Sequence, residues 1–360
     1  MIQYAQSRRA LVLLLLTFLT VSVGIIWFIS LRGVGNGDQT DPITAKATIP
    51  DVIKHSEFSD QVIANPVPSA VQGRGVGLVR PSDLSIPPFE RPQTEEFQLT
   101  SGASFAPYLI LVSQDDNPLT TLVTVLVDYN QTPFELDGRM GLLHEVVIPP
   151  HTELNLPLRL MIEGAGAHDL IFIAFVDPYS HILDVNRRDT ELGNIMGRRA
   201  VIIVDGRQEP FKTISPIALG QDAPSNLASV PIRIGFAAAP SEPATHPSER
   251  PIVLAGASPG EMFSFQVWVT NFGDQLPVEY GMVGFLNYHQ VPLNQHQVTA
   301  VQLGSGRQEV ILDVNVMVPE TAVIHEFQVV YVLDPYESIL HEQVTASFVF
   351  STVRLGLDAR

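Results

Sequence analysis

The chain has no cysteine among its 360 residues. That excludes disulfide staples, thiolate zinc sites, a cysteine nucleophile and a lipidated cysteine anchor. Lysine is nearly absent, with only Lys46, Lys54 and Lys212. Against 21 basic residues stand 38 acidic ones, a net charge of −17, and no basic stripe breaks the acidic background. Phosphate backbones need clustered cations, so nucleic acid is excluded as an expected partner. The same charge repels anionic lipid headgroups, so contact with a bilayer needs a dedicated segment. Past residue 31 no stretch of about 12 or more residues holds a 3.6-residue period, which argues against helical domains.

One long apolar run is present. Residues 10–31 (ALVLLLLTFLTVSVGIIWFISL) carry no charge. As a helix this run is roughly 33 Å long and crosses a bilayer core. Arg8 and Arg9 precede it, while Asp38 and Asp41 lie beyond Arg32, so the cation bias puts the N-terminus inside. Trp27 falls near the outer interface. A cleaved signal peptide has a shorter apolar core and a small-x-small site at its end. Here Ser22-Val23-Gly24 sits mid-run. The expectation is a single-pass signal anchor in the plasma membrane, with residues 1–9 cytoplasmic, 10–31 in the lipid bilayer and the bulk extracytoplasmic.

Beyond the anchor the chain repeats itself. Asp128-Tyr129-Asn130-Gln131-Thr132-Pro133 returns as Asn287-Tyr288-His289-Gln290-Val291-Pro292. HDLIFIAFVDPYSHIL, residues 168–183, returns without a gap as HEFQVVYVLDPYESIL, residues 325–340. Glu90-Arg91-Pro92 matches Glu249-Arg250-Pro251, and Gly102-Ala103-Ser104 matches Gly256-Ala257-Ser258. Offsets of this size mean a duplicated domain rather than a short solenoid repeat.

Strand patterns fill both copies. Leu154, Leu156, Leu158 and Leu160 alternate with Asn155, Pro157 and Arg159, as do Val310, Leu312, Val314, Val316 and Val318 with their neighbours. Residues 170–176 are continuously apolar and stop at Asp177-Pro178. The fold class is therefore all-β, two tandem antiparallel sandwiches. The outline resembles immunoglobulin-like domains, without their Cys…Trp…Cys spacing, and the organisation is similar to bacterial membrane-anchored tandem immunoglobulin-like proteins. The expected layout is a Pro/Gly-rich stalk over 32–88, a first sandwich over 89–207, a linker over 208–229 and a duplicate sandwich over 230–360.

The repeated motifs are the candidate sites. In Asp177-Pro178-Tyr179 and Asp334-Pro335-Tyr336, Asp accepts turn N–H groups and Pro presets φ. The tyrosine is expected to lie over the sandwich end with a wet hydroxyl. Tyr129, Gln131, Pro133 and Tyr288, Gln290, Pro292 share one side of a strand end at period 2, where Pro stops the ladder. The alternative for both motifs is a recognition surface, the Asp-Pro-Tyr loops then taking calcium or a glycan. Neither offers the six to eight oxygens of a calcium site. Arg187-Arg188 and Arg198-Arg199 read as solvated charge, or else as a contact for an acidic partner.

Catalytic patterns fail on inspection. Gly256-Ala257-Ser258-Pro259-Gly260 matches a hydrolase nucleophile elbow in letters, but a strand follows and Pro259 lacks the N–H an oxyanion hole needs. His144-Glu145 and His325-Glu326 lack the second zincin histidine. Asp115-Asp116-Asn117 reads as a polar hairpin loop. The expectation is a non-enzymatic scaffold, adhesion or accessory protein with a protein partner in the envelope, no cofactor, no metal and no catalytic residues. The alternative is a carbohydrate- or calcium-binding module that uses sandwich-end loops.

Overall fold

The structure is a computed structural model. It describes residues 49–67, 73–91, 96–182, 188, 195–210, 214–223, 234–240, 246–271, 277–293, 295–335 and 349–360. The chain divides after Ile43, and every described residue belongs to one compact unit, Thr44–Arg360. The expected anchor at 10–31 lies outside the described residues. Among those described, no helix is long and apolar enough to cross a membrane.

The described chain is all-β, and each repeat is a pair of facing sheets. In the first repeat one sheet runs from edge to edge as Val52–Lys54, Leu143–Ile148, Leu119–Val127, Gly166–Val176, Ile195–Val204 and Glu96–Leu99. Its inner pairings are antiparallel, while both edge strands run parallel to their neighbours. The facing sheet is built on Thr152–Met161 and Tyr108–Ser113, with Arg74–Val79 at one edge and the hairpin Phe134–Leu136/Arg139–Gly141 at the other.

The second repeat copies this order. One sheet runs Ala218–Leu219, Thr299–Leu303, Val278–Leu286, Ile324–Leu333, Leu355–Asp358 and Leu254–Gly256, again with parallel edges. Its facing sheet runs Gln221–Asp222, Gln308–Met317, Met262–Thr270 and Ile234–Ala238.

The two-residue alternation becomes burial. Leu154, Leu156, Leu158 and Leu160 point into the first core with Leu109, Leu111, Leu170 and Phe172 from the two sheets. Val310, Leu312, Val314 and Val316 do the same in the second core, against Tyr280, Phe327 and Val329. Each fully buried Leu or Phe stabilises by about 1.5–3 kcal/mol.

The stalk and linker boundaries are corrected by the strand pairings. Val52–Lys54, Ile63–Pro66 and Arg74–Val79, all inside the expected stalk, are strands of the first sandwich. Ala218–Leu219 and Gln221–Asp222, inside the expected linker, are strands of the second. The duplication thus reaches further toward the N-terminus than the matching motifs. Edge strands bond on one side only, so they tolerate the Pro and Gly that read as linker composition.

A third core joins the repeats. Leu122, Leu126, Ile171, Ile173 and Phe175 of the first repeat pack against Val283, Phe285, Val330, Val332 and Val349 of the second. Phe175 and Phe285 meet edge to face at 5.4 Å between ring centroids. Each of these two sheets is therefore covered on both sides. That explains the unbroken apolar run at 170–176: even positions face the first core and odd positions face the seam. Gly197 permits the close approach, because a Cβ there would lie 2.3 Å from the Cβ of Val349.

Candidate functional site: the seam between the repeats

The repeated motifs converge on this seam. Asp128-Tyr129 and Asn287-Tyr288 are the central pairs of two tight hairpin turns, each with positive φ: 48° and 65° in the first, 49° and 68° in the second. Both values positive is the type I′ pattern, where Asn or Asp suits the first position and glycine is usual at the second. A tyrosine there is strained. The placement on a strand at period 2 is thus corrected: the tyrosine sits in the turn, and only the glutamine lies on the following strand.

Each turn is fixed from the next strand. The Asp128 carboxylate accepts from the Asp169 N–H at 3.1 Å and lies 2.8 Å from His168 Nδ1. In the second repeat Asn287 accepts from the Glu326 N–H at 3.0 Å and donates to His325 Nδ1 at 2.9 Å. The His-Asp and His-Glu pairs therefore serve the turns.

Across the seam the contacts come in exchanged pairs. The Gln131 N–H donates to Gln290 Oε1 at 2.6 Å, and the Gln290 N–H donates to Gln131 Oε1 at 2.9 Å. Gln131 Nε2 donates to the Tyr288 carbonyl at 3.1 Å, and Gln290 Nε2 to the Tyr129 carbonyl at 2.8 Å. Arg199 donates to the carbonyls of Leu333 and Asp334 at 2.8 and 3.1 Å. Arg354, immediately before the matching strand Leu355–Asp358, donates to those of Val176 and Asp177 at 3.4 and 3.2 Å. Residue i meets j while j meets i, the mark of an isologous, two-fold interface. The partner of each Tyr-x-Gln motif is its own duplicate.

The charges at this seam are buried. Arg199 grips Asp169 through Nε and Nη2, the closest contact being 2.6 Å, and both side chains are 0% exposed. Burial disfavours the Arg199 cation, but Asp169 outweighs it and holds the pKa above the ordinary value. Tyr129 Oη donates to the same carboxylate at 2.6 Å. In the second repeat the roles shift. Tyr288 Oη donates to the Pro178 carbonyl at 2.7 Å and accepts from Arg354 at 2.6 Å, and burial pushes its pKa up to about 12. Glu326, in the place of Asp169, is bound by Arg188 and by His181 at 2.9 Å. Burial raises the Glu326 pKa, but bonds from His181 and the Arg188 charge hold it below the ordinary range.

Arg188 and Arg199 are fully buried, so reading these two as solvated charge is corrected. Arg188 occupies a slot that only glycine leaves open, since a Cβ at Gly356 would come within 2.9 Å of its guanidinium carbon. The acidic partner of this basic position is Glu326 of the second repeat.

The remaining expected residues fall as follows. Asp177 and Asp334 have positive φ at the turns, 47° and 43°, with Pro178 and Pro335 buried behind them. Asp334 Oδ1 accepts from the Glu279 N–H at 3.2 Å. The Tyr179 hydroxyl is not wet; it donates to Glu145, and burial, then that carboxylate, drives its pKa upward. Pro133 and Pro292 are exposed just past the seam. Tyr336 lies outside the described residues. Ser258 sits in a turn before the Met262–Thr270 strand, not before a helix. Asp115 pairs with Arg74 at 2.7 Å, and Asp116 lies 3.1 Å from His151. Among the described residues no group of three or more acidic or histidine side chains is placed to hold a metal ion.

No family model and no curated protein matches the chain. Among solved structures, the calcium-binding domain CBD12 of CALX1.1 is similar at 9% identity and TM-score 0.20, over 65% of this chain and 77% of that one. The D1–D4 ectodomain fragment of ICAM-5 is similar at 10% identity and TM-score 0.21, over 79% and 51%. Red sea bream transglutaminase is similar at 11% identity and TM-score 0.22, over 79% and 31%.

Proposed function

We propose that this chain is a non-enzymatic, membrane-anchored extracytoplasmic interaction protein, with two immunoglobulin-like sandwiches acting as one rigid body. The observation that supports it is the exchanged hydrogen bonding of Gln131 and Gln290. Polar residues repeated for catalysis or ligand capture would line free surface, whereas these lock one repeat to the other. The body then offers its outer sheets and sheet edges to a protein partner in the envelope. The charge-free run at 10–31 supplies the anchor and the side of the membrane.

The test is recovery from membranes. The tagged chain should resist alkaline extraction, be cut by protease added from outside, and bring down the same partner in repeated detergent pull-downs. Release by alkali, or repeated recovery of no partner, overturns the reading.

The alternative, a calcium- or carbohydrate-binding module, keeps one place in the fold. It is a cavity of about 610 Å³ lined by Arg74, Asp115, Asp116, Asn117 and Asp177 at the end of the first sandwich. A thermal-shift screen with millimolar calcium and a glycan panel tests it, and no shift sinks it.

A further inference from the structure

The two repeats differ at one edge of their outer sheets. In the first, Thr152–Met161 is paired on both sides: with Tyr108–Ser113 and Ser104–Phe105 on one, with Ile63–Pro66 and Phe134–Leu136 on the other. In the second, Gln308–Met317 pairs along one side with Met262–Thr270. On its other side only Gln308 and Glu309 are paired, with Asp222 and Gln221. The outward N–H and C=O groups of residues 310–317 have no partner among the described residues.

The reason is local. By the repeat, Leu293 is the counterpart of Phe134. Here Leu293 fills the core, and its backbone closes a tight turn on His296 with bonds of 2.8 and 2.9 Å. The segment that covers the edge in the first repeat is thereby folded away in the second. Exposed edges are usually guarded by lysine, proline, a bulge or shortness. This stretch has no lysine and no proline, holds five β-formers (Val310, Ile311, Leu312, Val314, Val316) and carries one charge, Asp313.

We infer that this edge pairs with the same edge of a second copy of the chain, antiparallel about a two-fold axis at Val314. Opposed residues in an antiparallel pair point to the same face. With Val314 opposite Val314, Leu312 meets Val316 on the core face. On the outer face Ile311 meets Met317 and Asp313 meets Asn315. An axis one residue earlier opposes the two Asp313 carboxylates, which is destabilising. The pairing also covers an exposed methionine: Met317 is 55% exposed and then borders the incoming Ile311. Two four-stranded sheets become one continuous sheet.

The test uses the full chain in detergent, where an introduced cysteine is the only thiol. Two differently tagged chains, I311C and M317C, are co-expressed and oxidised. The expected product is the mixed disulfide. Two copies of residue 311 lie six residues apart in this register, about 20 Å, so self-linked I311C is not expected. N315D places a carboxylate opposite Asp313 at two positions and should weaken dimerisation about tenfold, whereas N315K should strengthen it. Light scattering reads the mass, and unchanged melting curves show that the variants fold. A chain monomeric at every concentration, same-tag cross-links equal to mixed ones, or like responses to N315D and N315K overturns the proposal.

Discussion

Gln131 and Gln290 hold each other's backbone, each side-chain oxygen accepting the other's main-chain N–H at 2.9 and 2.6 Å. Their side-chain amides complete the exchange on the carbonyls of Tyr288 and Tyr129. Truncating either glutamine leaves groups unpaired on both repeats. Gln131→Ala and Gln290→Ala are each expected to cost about 1–3 kcal/mol. The two truncations remove different bonds, each side chain holding the other's backbone, so the double variant should cost more than either single one. Urea unfolding of the four proteins measures this, and single variants as stable as the parent would show that the exchange contributes nothing.

Arg199 carries a second prediction. Removing it leaves Asp169 as a buried charge without its guanidinium. Arg199→Ala should destabilise by about 3–5 kcal/mol. Arg199→Lys should recover little, since an ammonium cannot reach Asp169 and the carbonyls of Leu333 and Asp334 in one fork. A lysine variant that melts like the parent would contradict this account.

The shared third core makes both sandwiches one cooperative unit. A single calorimetric transition is expected for the parent. Gly197→Val drives side-chain atoms into Val349, where even a Cβ would lie at 2.3 Å. It should separate the melt into two transitions, or lower it by the about 1–3 kcal/mol typical of overpacking. An unchanged single transition would show that the seam is looser than described.

His144 and His55 give a pH dependence. His55 Nε2 donates to His144 Nδ1 at 3.0 Å, and His144 Nε2 donates to the Phe134 carbonyl at 3.1 Å. Burial, then the neighbouring His55, lowers the His144 pKa to about 4, and burial lowers that of His55. Below the ordinary 6.5 the unfolded chain takes up a proton that the folded one refuses until about 4. Stability should accordingly be unaffected by this group above pH 6.5 and fall from there toward pH 4, by on the order of 3 kcal/mol. Urea midpoints across that window measure the fall, and His144→Gln should flatten it. An equal slope in the variant would assign the loss to other groups.

Much of this was legible from residue order. Alternating leucines and valines marked the strands, and the duplicated motifs marked two copies of one fold. The seam left a trace as well: residues 170–176 have no polar face, and a half-buried strand would have one. What stayed hidden was who covers the second face. Arg188 and Arg199 read as solvated because a lone sequence does not show Glu326 and Asp169 arriving from distant strands. Tyr129 and Tyr288 read as strand residues because tyrosine rarely adopts positive φ; burial in the seam holds them there. Pro66, Gly75 and Gly77 suggested a stalk because edge strands and linkers share a composition.

The back-to-back packing has a geometric consequence. Four sheets are stacked, and sheets pack about 10 Å apart, so the two outermost faces stand roughly 30 Å from each other. They look in opposite directions. A molecule seated on the Thr152–Met161 sheet and one seated on the Gln308–Met317 sheet would never meet. On the interaction role proposed above, two neighbours bound to these faces would be kept at a fixed separation.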